Sequence, residues 1–480
     1  MKILFIIPKI RSMLGDEKGI PGHPNVGIAY LSAFLKQHGI EVSVYDEGLE
    51  QKREKIFDII QSFNPDIIGV NSFNYCYHYA YELISELKKR TDIPVVFGGP
   101  HLSAMGKNVI EETEADFGIN GEAEFTLIEL LKNLKNRDFS KIDGLIWKEN
   151  GVVVENPNRE LIKNLDSLPF PDYSEFDIER YSYTHEKKMP IITSRGCPYK
   201  CNFCSVRLSM GDGFRARSAE NVVDEIEHWC KKGYMVFEIN DDCFSFDLER
   251  AMKICDLIIE RGLKIKYSLY NGIRVDRITK ELLEKMKQSG CVFLSYGCEA
   301  GDDEILRNIR KGIKLEQVMK ASQWAKEVGI KHSVNFIIGH PGETHEKAMK
   351  SIKFAKSLPC DFVNFYNLVP YPGTDLFKWI KENGRFLKPP EVYLRELSYR
   401  DTSPVFETDD FTKEEREDVI KKGLELYEKT ALQYRFGNKR GNIVFNISKI
   451  EPLKNFGINF ALSNKIGRRV FHKFTSKSRE

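Results

Sequence analysis

Three cysteines lie close together in the run Ser-Arg-Gly-Cys-Pro-Tyr-Lys-Cys-Asn-Phe-Cys, as Cys197, Cys201 and Cys204. Gaps this short, on a loop with glycine and proline, let three thiolates converge on one metal centre. A structural zinc would want a fourth cysteine or histidine nearby, and the next one downstream is His228. Three thiolates on a four-iron, four-sulfur cluster instead leave one iron open for a substrate or cofactor. A zinc knuckle, or unrelated buried thiols, is the alternative interpretation.

This run resembles the signature of the radical S-adenosylmethionine (SAM) superfamily. The resemblance implies that SAM chelates the open iron through its amino and carboxylate groups. One electron from the cluster, delivered by an external donor of flavodoxin or ferredoxin type, then cleaves SAM to a 5′-deoxyadenosyl radical. Phe203, directly before the third cysteine, fills a position where the family carries an aromatic residue near the adenine.

Length and composition set wide limits on the rest of the chain. With 480 residues, two or three domains are expected. A formal net charge of +2, with 30% charged residues, indicates no polyanion such as nucleic acid as the partner. Ten cysteines, few of them regularly spaced, fit a reducing cytoplasm better than a disulfide framework. No uninterrupted apolar run approaches a membrane span.

Residues 1–140 alternate short apolar runs with amphipathic stretches, which predicts an α/β domain with a doubly wound, Rossmann-type parallel sheet. The expected strands cover residues 3–7, 42–45, 67–70, 95–97 and 117–119. Ligands of such sheets bind beyond the carboxyl ends of the strands. The residues found there are Ser72, Gly98, Gly99, His101, Gly121 and Glu122.

This domain resembles a cobalamin-binding domain, in which a serine after the third strand and a Gly-Gly pair after the fourth border the nucleotide tail. Ser72 and the pair Gly98-Gly99 occupy those places, and the resemblance extends to His101, Gly121 and Glu122 as cobalamin contacts. The Asp-x-His-x-x-Gly motif that supplies a cobalt ligand in some members is absent. Cobalamin would therefore bind without that histidine, and His101 is expected to be a loop residue. A flavodoxin-like sheet without cofactor is the alternative.

Residues 141–185 are expected to form a hairpin and a linker. The hairpin prediction rests on Asn150-Gly151, a strong turn pair between two apolar runs. Pro169 and Pro171 each restrict the residue before them, which favours an extended linker.

Residues 186–385 again alternate strands and helices and resemble the partial (βα)6 barrel of the radical SAM family. The expected strands cover residues 191–193, 236–240, 266–271, 292–297, 331–338 and 362–368. Parallel barrels carry their chemistry at the carboxyl ends of the strands. The resemblance implies SAM contacts at Asp241, Asp242, Glu299 and Gly339, although the usual Gly-Gly-Glu is missing. A helix cap or a solvated loop charge is the alternative for each acidic residue.

Residues 386–480 are expected to form a small, mostly helical region with a basic tail. Thr412 and Glu415 form a capping box that opens a helix through about residue 434. From Asn442 onward, lysine and arginine outnumber the acids. A helical cap on the barrel is favoured for this tail over a membrane-surface segment. A tail that contacts lipid would make a lipid-like substrate plausible.

The whole chain resembles the radical SAM enzymes that carry a cobalamin-binding domain. The function this implies is cobalamin-dependent methyl transfer to an unactivated carbon or phosphorus centre of a small-molecule or lipid-like substrate. A radical cyclase, a C–C coupling enzyme or an oxidoreductase without methyl transfer is the first alternative. A non-catalytic iron–sulfur or cobalamin-binding protein is the second, and it is disfavoured because an electron carrier normally saturates its cluster with four protein ligands.

Overall fold

Two parallel sheets form the framework of the protein. The computed structural model describes residues 1–9, 21–50, 53–181, 188–396, 398 and 401–449. The strands of both sheets are short and largely buried. Buried apolar strands of this kind are typical of parallel sheets covered by helices.

The first sheet contains seven strands: β1 (Lys2–Ile7), β2 (Glu41–Asp46), β3 (Ile67–Asn71), β4 (Val95–Gly98), β5 (Phe117–Ile119), β6 (Leu145–Glu149) and β7 (Val152–Glu155). Their order is β2-β1-β3-β4-β5-β6-β7, and β1 to β5 are parallel. Alternate residues of β1 enter two different cores, with Phe5 in one and Leu4 and Ile6 in the other. The predicted doubly wound sheet is confirmed. Its strand order reverses between β1 and β3, where such sheets bind ligands.

The predicted hairpin is also present, and it extends the first sheet. β6 pairs antiparallel with both β5 and β7. At the turn, Asn150 and Gly151 have φ angles of 52° and 83°. Two successive positive φ angles are what a tight two-residue hairpin requires, and Asn-Gly adopts them readily.

The second sheet contains six parallel strands: β8 (Lys188–Ile191), β11 (Val236–Ile239), β12 (Lys266–Ile273), β13 (Cys291–Glu299), β14 (Lys331–Ile338) and β15 (Phe362–Asn367). Their order is β15-β14-β13-β12-β11-β8. This sequential order fits the predicted partial barrel, with β8 and β15 as its two edges. The first strand was expected at residues 191–193 and ends earlier, because the Asp241 carboxylate accepts the backbone N–H of Thr193 (2.6 Å).

Two small antiparallel ribbons complete the strands: β9 (Ser194–Arg195) with β10 (Arg215–Ala216), and β16 (Arg385–Phe386) with β17 (Phe406–Glu407). In the N-terminal part of the chain, the helices are α1 (Val26–Gln37), α2 (Glu47–Glu50), α3 (Lys55–Phe63), α4 (Tyr77–Arg90), α5 (Pro100–Met105), α6 (Asn108–Glu112) and α7 (Glu124–Asn133). The later helices are α8 (Val206–Met210), α9 (Ala219–Lys231), α10 (Leu248–Glu260), α11 (Lys280–Gln288), α12 (Asp303–Asn308), α13 (Leu315–Val328), α14 (His345–Ser357), α15 (Asp375–Asn383), α16 (Pro390–Glu396), α17 (Lys413–Phe436) and α18 (Asn438–Ser448).

Helix α17 covers the edge of the second sheet. It begins at the predicted capping box, in which Thr412 and Glu415 bond reciprocally. It packs on β15 so closely that a Cβ on Gly423 would collide with the ring of Phe365. This helix therefore acts as a cap on the sheet. The predicted basic tail lies almost entirely in residues 450–480, outside the described residues. No helix in the described part of the chain is both long and apolar enough to cross a bilayer.

Candidate active site

The three cysteines lie on one loop at the carboxyl end of the second sheet. This cysteine loop, residues 196–214, begins after β9 and ends before β10. Arg195 of β9 and Arg215 of β10 lie opposite each other in the antiparallel ribbon. Cys197, Cys201 and Cys204 are free, partly exposed thiols. The backbone N–H of Cys204 donates to the carbonyl of Cys201 (3.2 Å), so the loop turns tightly between these two cysteines.

Three cysteines with no fourth cysteine or histidine beside them in the chain suit an iron–sulfur cluster better than a structural zinc. A structural zinc needs its ligands around one centre, whereas in a four-iron cluster each thiolate binds a different iron. The donor set therefore fits the cluster that the sequence predicts.

The protons on the three thiols differ in how firmly they are held. Burial raises the pKa of Cys201 and raises that of Cys204 to about 11. A hydrogen bond with the thiol of Cys243 lowers the pKa of Cys197 to about 7. Cys243 is fully buried and contacts the cysteine loop through Cys197. Iron binds thiolates, so cluster assembly here releases protons.

Two buried cations lie beside the cysteine loop. The Arg274 guanidinium lies 3.4 Å from the ring centroid of Tyr199 and donates to the backbone carbonyl of Lys311 (2.7 Å). The Lys311 ammonium pairs with Glu299 (2.7 Å). Both positive charges oppose the effect of burial on the pKa of Cys201. They therefore favour the thiolate and an anionic cluster.

Glu299 has an unusual backbone at the end of β13. Its φ angle of 72° lies in the left-handed region, which is uncommon for residues other than glycine. The register of β13 against β14 shifts between Gly297 and Glu299. A Cβ on Gly297 would collide with the Glu299 carboxylate. Strained backbone of this kind clusters at functional sites, and the predicted SAM contact at Glu299 stays a prediction.

The two aspartates after β11 have different surroundings. Asp241 is buried and, besides the Thr193 N–H, accepts the hydroxyls of Thr193 (2.5 Å) and Ser194 (2.6 Å). It therefore ties the end of β11 to the end of β8. Asp242 accepts the N–H of Gly196 (3.0 Å), and burial with the nearby Asp241 raises its pKa to about 6. The SAM contacts predicted for both stay predictions, and Asp242 is the one that borders a cavity.

A pocket of about 210 Å³ adjoins the cysteine loop at Phe203. Ile337 of β14 and Leu368, just after β15, also line it. The Phe203 ring centroid lies 5.6 Å from that of the buried His340. Aromatic and aliphatic walls at strand ends suit one planar heterocycle such as adenine. Phe203 lines this pocket, and the adenine contact predicted for it stays a prediction.

Gly339 leaves room for a protein side chain. Its φ angle is 113°, and a Cβ there would collide with the guanidinium of the buried Arg416 from α17. In the same turn, Glu343 accepts the N–H groups of Gly339 (2.6 Å) and His340 (3.0 Å). Burial raises the pKa of Glu343 to about 7 and lowers that of Arg416 to about 10. The turn from Gly339 to Glu343 therefore holds helix α17 against the second sheet. The SAM contact predicted for Gly339 stays a prediction.

A larger cavity of about 610 Å³ lies between the carboxyl ends of the two sheets. The first sheet contributes Gly98, Gly99, Gly121 and Glu122, and the second contributes residues around the cysteine loop, including Arg195 and Asp242. A Cβ added to Gly98 or Gly121 would meet no atom within 4 Å. The bare backbone at these glycines therefore leaves space that a ligand can fill.

Two of the predicted cobalamin residues do not line this cavity in the described part of the chain. Ser72 is buried, and its hydroxyl donates to the next carbonyl (3.1 Å). His101 lies in α5, not in the expected loop, and stacks on Tyr77 with ring centroids 4.3 Å apart. Its ring nitrogens lie 3.2 Å from Asn74 and 3.2 Å from Tyr81. The cobalamin contacts predicted for Ser72 and His101 stay predictions.

Family models match both halves of this arrangement. Residues 21–131 match the B12 binding domain, and residues 191–355 match the radical SAM superfamily. An uncharacterized methyltransferase of Pyrococcus horikoshii is 33% identical over 428 residues, covering 88% of this chain and 91% of that protein. The chain belongs to the radical SAM enzymes that carry a B12-binding domain.

Other relatives of this radical SAM enzyme are named for two different activities. The anaerobic magnesium-protoporphyrin IX monomethyl ester cyclase of Rubrivivax gelatinosus is 28% identical, covering 79% of this chain and 70% of the cyclase. The cytidylyl-2-hydroxyethylphosphonate methyltransferase of Streptomyces wedmorensis is 25% identical, covering 78% of this chain and 80% of that methyltransferase.

Solved structures of low identity share the fold. The cobalamin-dependent SAM radical enzyme OxsB has a TM-score of 0.74 at 17% identity, covering 99% of this chain and 75% of OxsB. The radical SAM methyltransferase TsrM of Kitasatospora setae has a TM-score of 0.69 at 20% identity, covering 81% of this chain and 79% of TsrM.

Sequence reasoning missed three charged residues of this radical SAM enzyme. Arg195 was visible only as part of the cysteine run, although it joins the two domains through Glu122. Arg215 and Lys311 lie on no motif, and only the fold brings them to Glu122 and Glu299. Partners this distant in the chain leave no local pattern that could have revealed them.

Replacing Glu343 by glutamine should stabilise the enzyme more at about pH 8 than at about pH 5. The pKa of this carboxyl is near 4.5 in the unfolded chain and about 7 in the folded chain. The folded state therefore binds the proton more tightly and loses stability as pH rises through this window. Glutamine keeps an acceptor for the two N–H groups and has no charge to bury. The gain should approach ~3 kcal/mol at high pH, measured by urea unfolding, and an equal effect at both pH values would contradict it.

Proposed function

We propose that this enzyme binds a [4Fe–4S] cluster, SAM and cobalamin, and methylates an unactivated carbon or phosphorus centre of a small or lipid-like substrate. The observation that carries the proposal is the position of the cysteine loop. Phe203 of this loop lines the small pocket, while Ser209 and Met210 of the same loop line the large cavity. Cofactors held at these two places would meet at the loop.

The chain's own residues divide between the cluster and SAM. Cys197, Cys201 and Cys204 would hold three irons and leave the fourth for SAM. Phe203 and the pocket beside it would take the adenine. The Glu299 carboxylate would accept hydrogen bonds from the ribose hydroxyls or form an ion pair with the SAM ammonium group.

Cobalamin would occupy the cavity between the sheets. Gly98, Gly99 and Gly121 present bare backbone there, and Phe5 and Leu127 supply apolar walls. Aromatic and aliphatic walls exclude water, which protects reactive species from side reactions. When bound, the three cofactors supply a primary alkyl radical and a methyl group. An external one-electron donor of flavodoxin or ferredoxin type would reduce the cluster.

A radical cyclisation without methyl transfer is the second candidate. It is supported by the 28% identity to the anaerobic cyclase of Rubrivivax gelatinosus. The same cofactor residues would serve both reactions, because the difference lies in the substrate. Only methyl transfer consumes a SAM molecule as a methyl donor, so the SAM-derived products separate the two candidates.

Replacing Cys204 by alanine should abolish cluster binding. The wild-type chain, reconstituted without oxygen, should carry about four irons, and the variant close to none, since a [4Fe–4S] cluster needs its thiolates. Cys255→Ala is the matched control, because Cys255 is a buried core thiol. Iron and sulfide assays check this prediction. A C204A protein with full iron content would contradict it.

Replacing Gly98 by leucine should weaken cobalamin uptake by at least about tenfold, because the new side chain would fill the cavity. The backbone at Gly98 is not in the left-handed region, so leucine introduces no strain there. Gln288→Leu is the control, since Gln288 is exposed on α11 and does not line the cavity. Cobalamin absorbance after reconstitution and gel filtration measures the effect. Equal uptake by both variants would show that cobalamin does not lie beside Gly98.

Methyl transfer is tested with SAM that carries a labelled methyl group, a reductant and a metabolite extract under anoxic conditions. We expect 5′-deoxyadenosine and S-adenosylhomocysteine to form together, with the label in one extract component. Mass spectrometry detects all three, and Cys204→Ala serves as the inactive control. With the true substrate present, 5′-deoxyadenosine without S-adenosylhomocysteine would exclude methyl transfer and favour the cyclase-type reaction.

A further inference from the structure

We infer that Arg195 is a positioning residue that fixes the cysteine loop, and with it the cluster, against the cobalamin-binding domain. Arg195 precedes Gly196 and Cys197, so its side chain anchors the start of the loop. The inference rests on the proposed function, because the role of Arg195 would be to set the distance between two cofactors. It concerns the contact that Arg195 makes between the domains, in addition to its place in the lining of the large cavity.

The guanidinium of Arg195 bridges two carboxylates of the other domain. One nitrogen donates to Glu122 (2.6 Å) and the other to Glu124 (2.9 Å). The side chain of Arg195 is 11% exposed, and those of Glu122 and Glu124 are 6% and 5% exposed. Removing one carboxylate would leave a buried positive charge without full compensation. The two domains are therefore held in one relative position at this point.

The far end of the loop is anchored to the same carboxylate. Arg215, where the chain returns from the cysteine loop, donates to both oxygens of Glu122 (2.9 Å each). It also donates to the carbonyl of Ile162, whose N–H in turn donates to Glu122 (2.7 Å). Glu122 thus holds both ends of the loop, and two adjacent arginines depend on its charge.

A second contact between the domains lies within the loop. Helix α8, which follows the third cysteine, packs on α5, which follows the Gly98-Gly99 pair. A Cβ on Gly373 would lie 2.8 Å from the carbonyl of Ala104 in α5 and 3.0 Å from Leu208 in α8. The turn after β15 therefore closes over this contact. The arginine pairs and this packing together would make the cysteine loop and the cobalamin domain one rigid body.

Ion pairs farther from the cavity offer a matched control. Lys36 of α1 pairs with Glu175 of the linker (2.7 Å), and both side chains are about one-third exposed. Exposed pairs contribute little to stability. Glu175→Gln therefore removes a charge near the same domain boundary without touching the loop.

The test compares Glu124→Gln and Arg195→Lys with Glu175→Gln in the full chain loaded with cluster and cobalamin. Hydrogen exchange of the 196–214 amides reports the loop, and should be about tenfold faster in the first two variants because local stability is lost. Pulsed electron paramagnetic resonance between cob(II)alamin and the reduced cluster reports their distance. We expect one narrow distance distribution in the wild type and in E175Q, and broader distributions in E124Q and R195K.

Each outcome bears on a separate claim. Unchanged loop exchange and unchanged distances in both E124Q and R195K would overturn the positioning role. If E124Q fails to fold, R195K, which keeps the charge but cannot bridge two carboxylates as a planar fork, decides the question. If the wild type takes up no cobalamin, the proposed function fails, and the exchange data on the cluster-loaded chain alone decide the role of Arg195.

Discussion

A charged arginine buried between two domains must have its charge neutralised there, and this requirement organises the centre of the molecule. Arg195 meets it with Glu122 and Glu124, from the loop and helix that follow β5. These partners follow the same strand end that supplies Gly121 to the large cavity. The buried ion pairs of Arg195 therefore lie at the wall of the ligand cavity. A substitution that moved the arginine would also move the wall of the cavity.

The two parallel sheets direct their chemistry to the same place. Parallel sheets gather their loops at the carboxyl ends of the strands, and in this protein those ends border one cavity. The cysteine loop lies at that meeting point, with a small pocket at Phe203. Lys311 and Arg274 place two positive charges beside it. The cluster and the cobalamin proposed for these places would therefore lie close to each other.

Much of the fold could be predicted from local patterns. The buried strands appear as short apolar runs, the hairpin turn as Asn150-Gly151, and the start of α17 as the capping box at Thr412. The cysteine spacing indicated a cluster site for a similar reason, since cluster ligands lie close together in the chain. The relatives and family models then confirmed the two-domain resemblance.

The polar residues around the site were harder to assign, because their partners lie far away in the sequence. Asp241 bonds to Thr193, 48 residues earlier, and Glu122 bonds to Arg195, 73 residues later. Gly339 makes room for Arg416 of a helix that no local pattern connects to β14. A motif can mark such residues as special. It cannot say whether a cofactor or another part of the protein takes the space beside them.

The central claim is that one iron lacks a protein ligand and binds SAM directly. Electron–nuclear double resonance on the reduced cluster, with SAM labelled in its amino nitrogen and carboxylate oxygens, tests this most directly. The account predicts strong hyperfine coupling from both labels to the cluster. A cluster whose spectrum shows no coupling to either label, or a purified chain that holds zinc at the three cysteines, would contradict it.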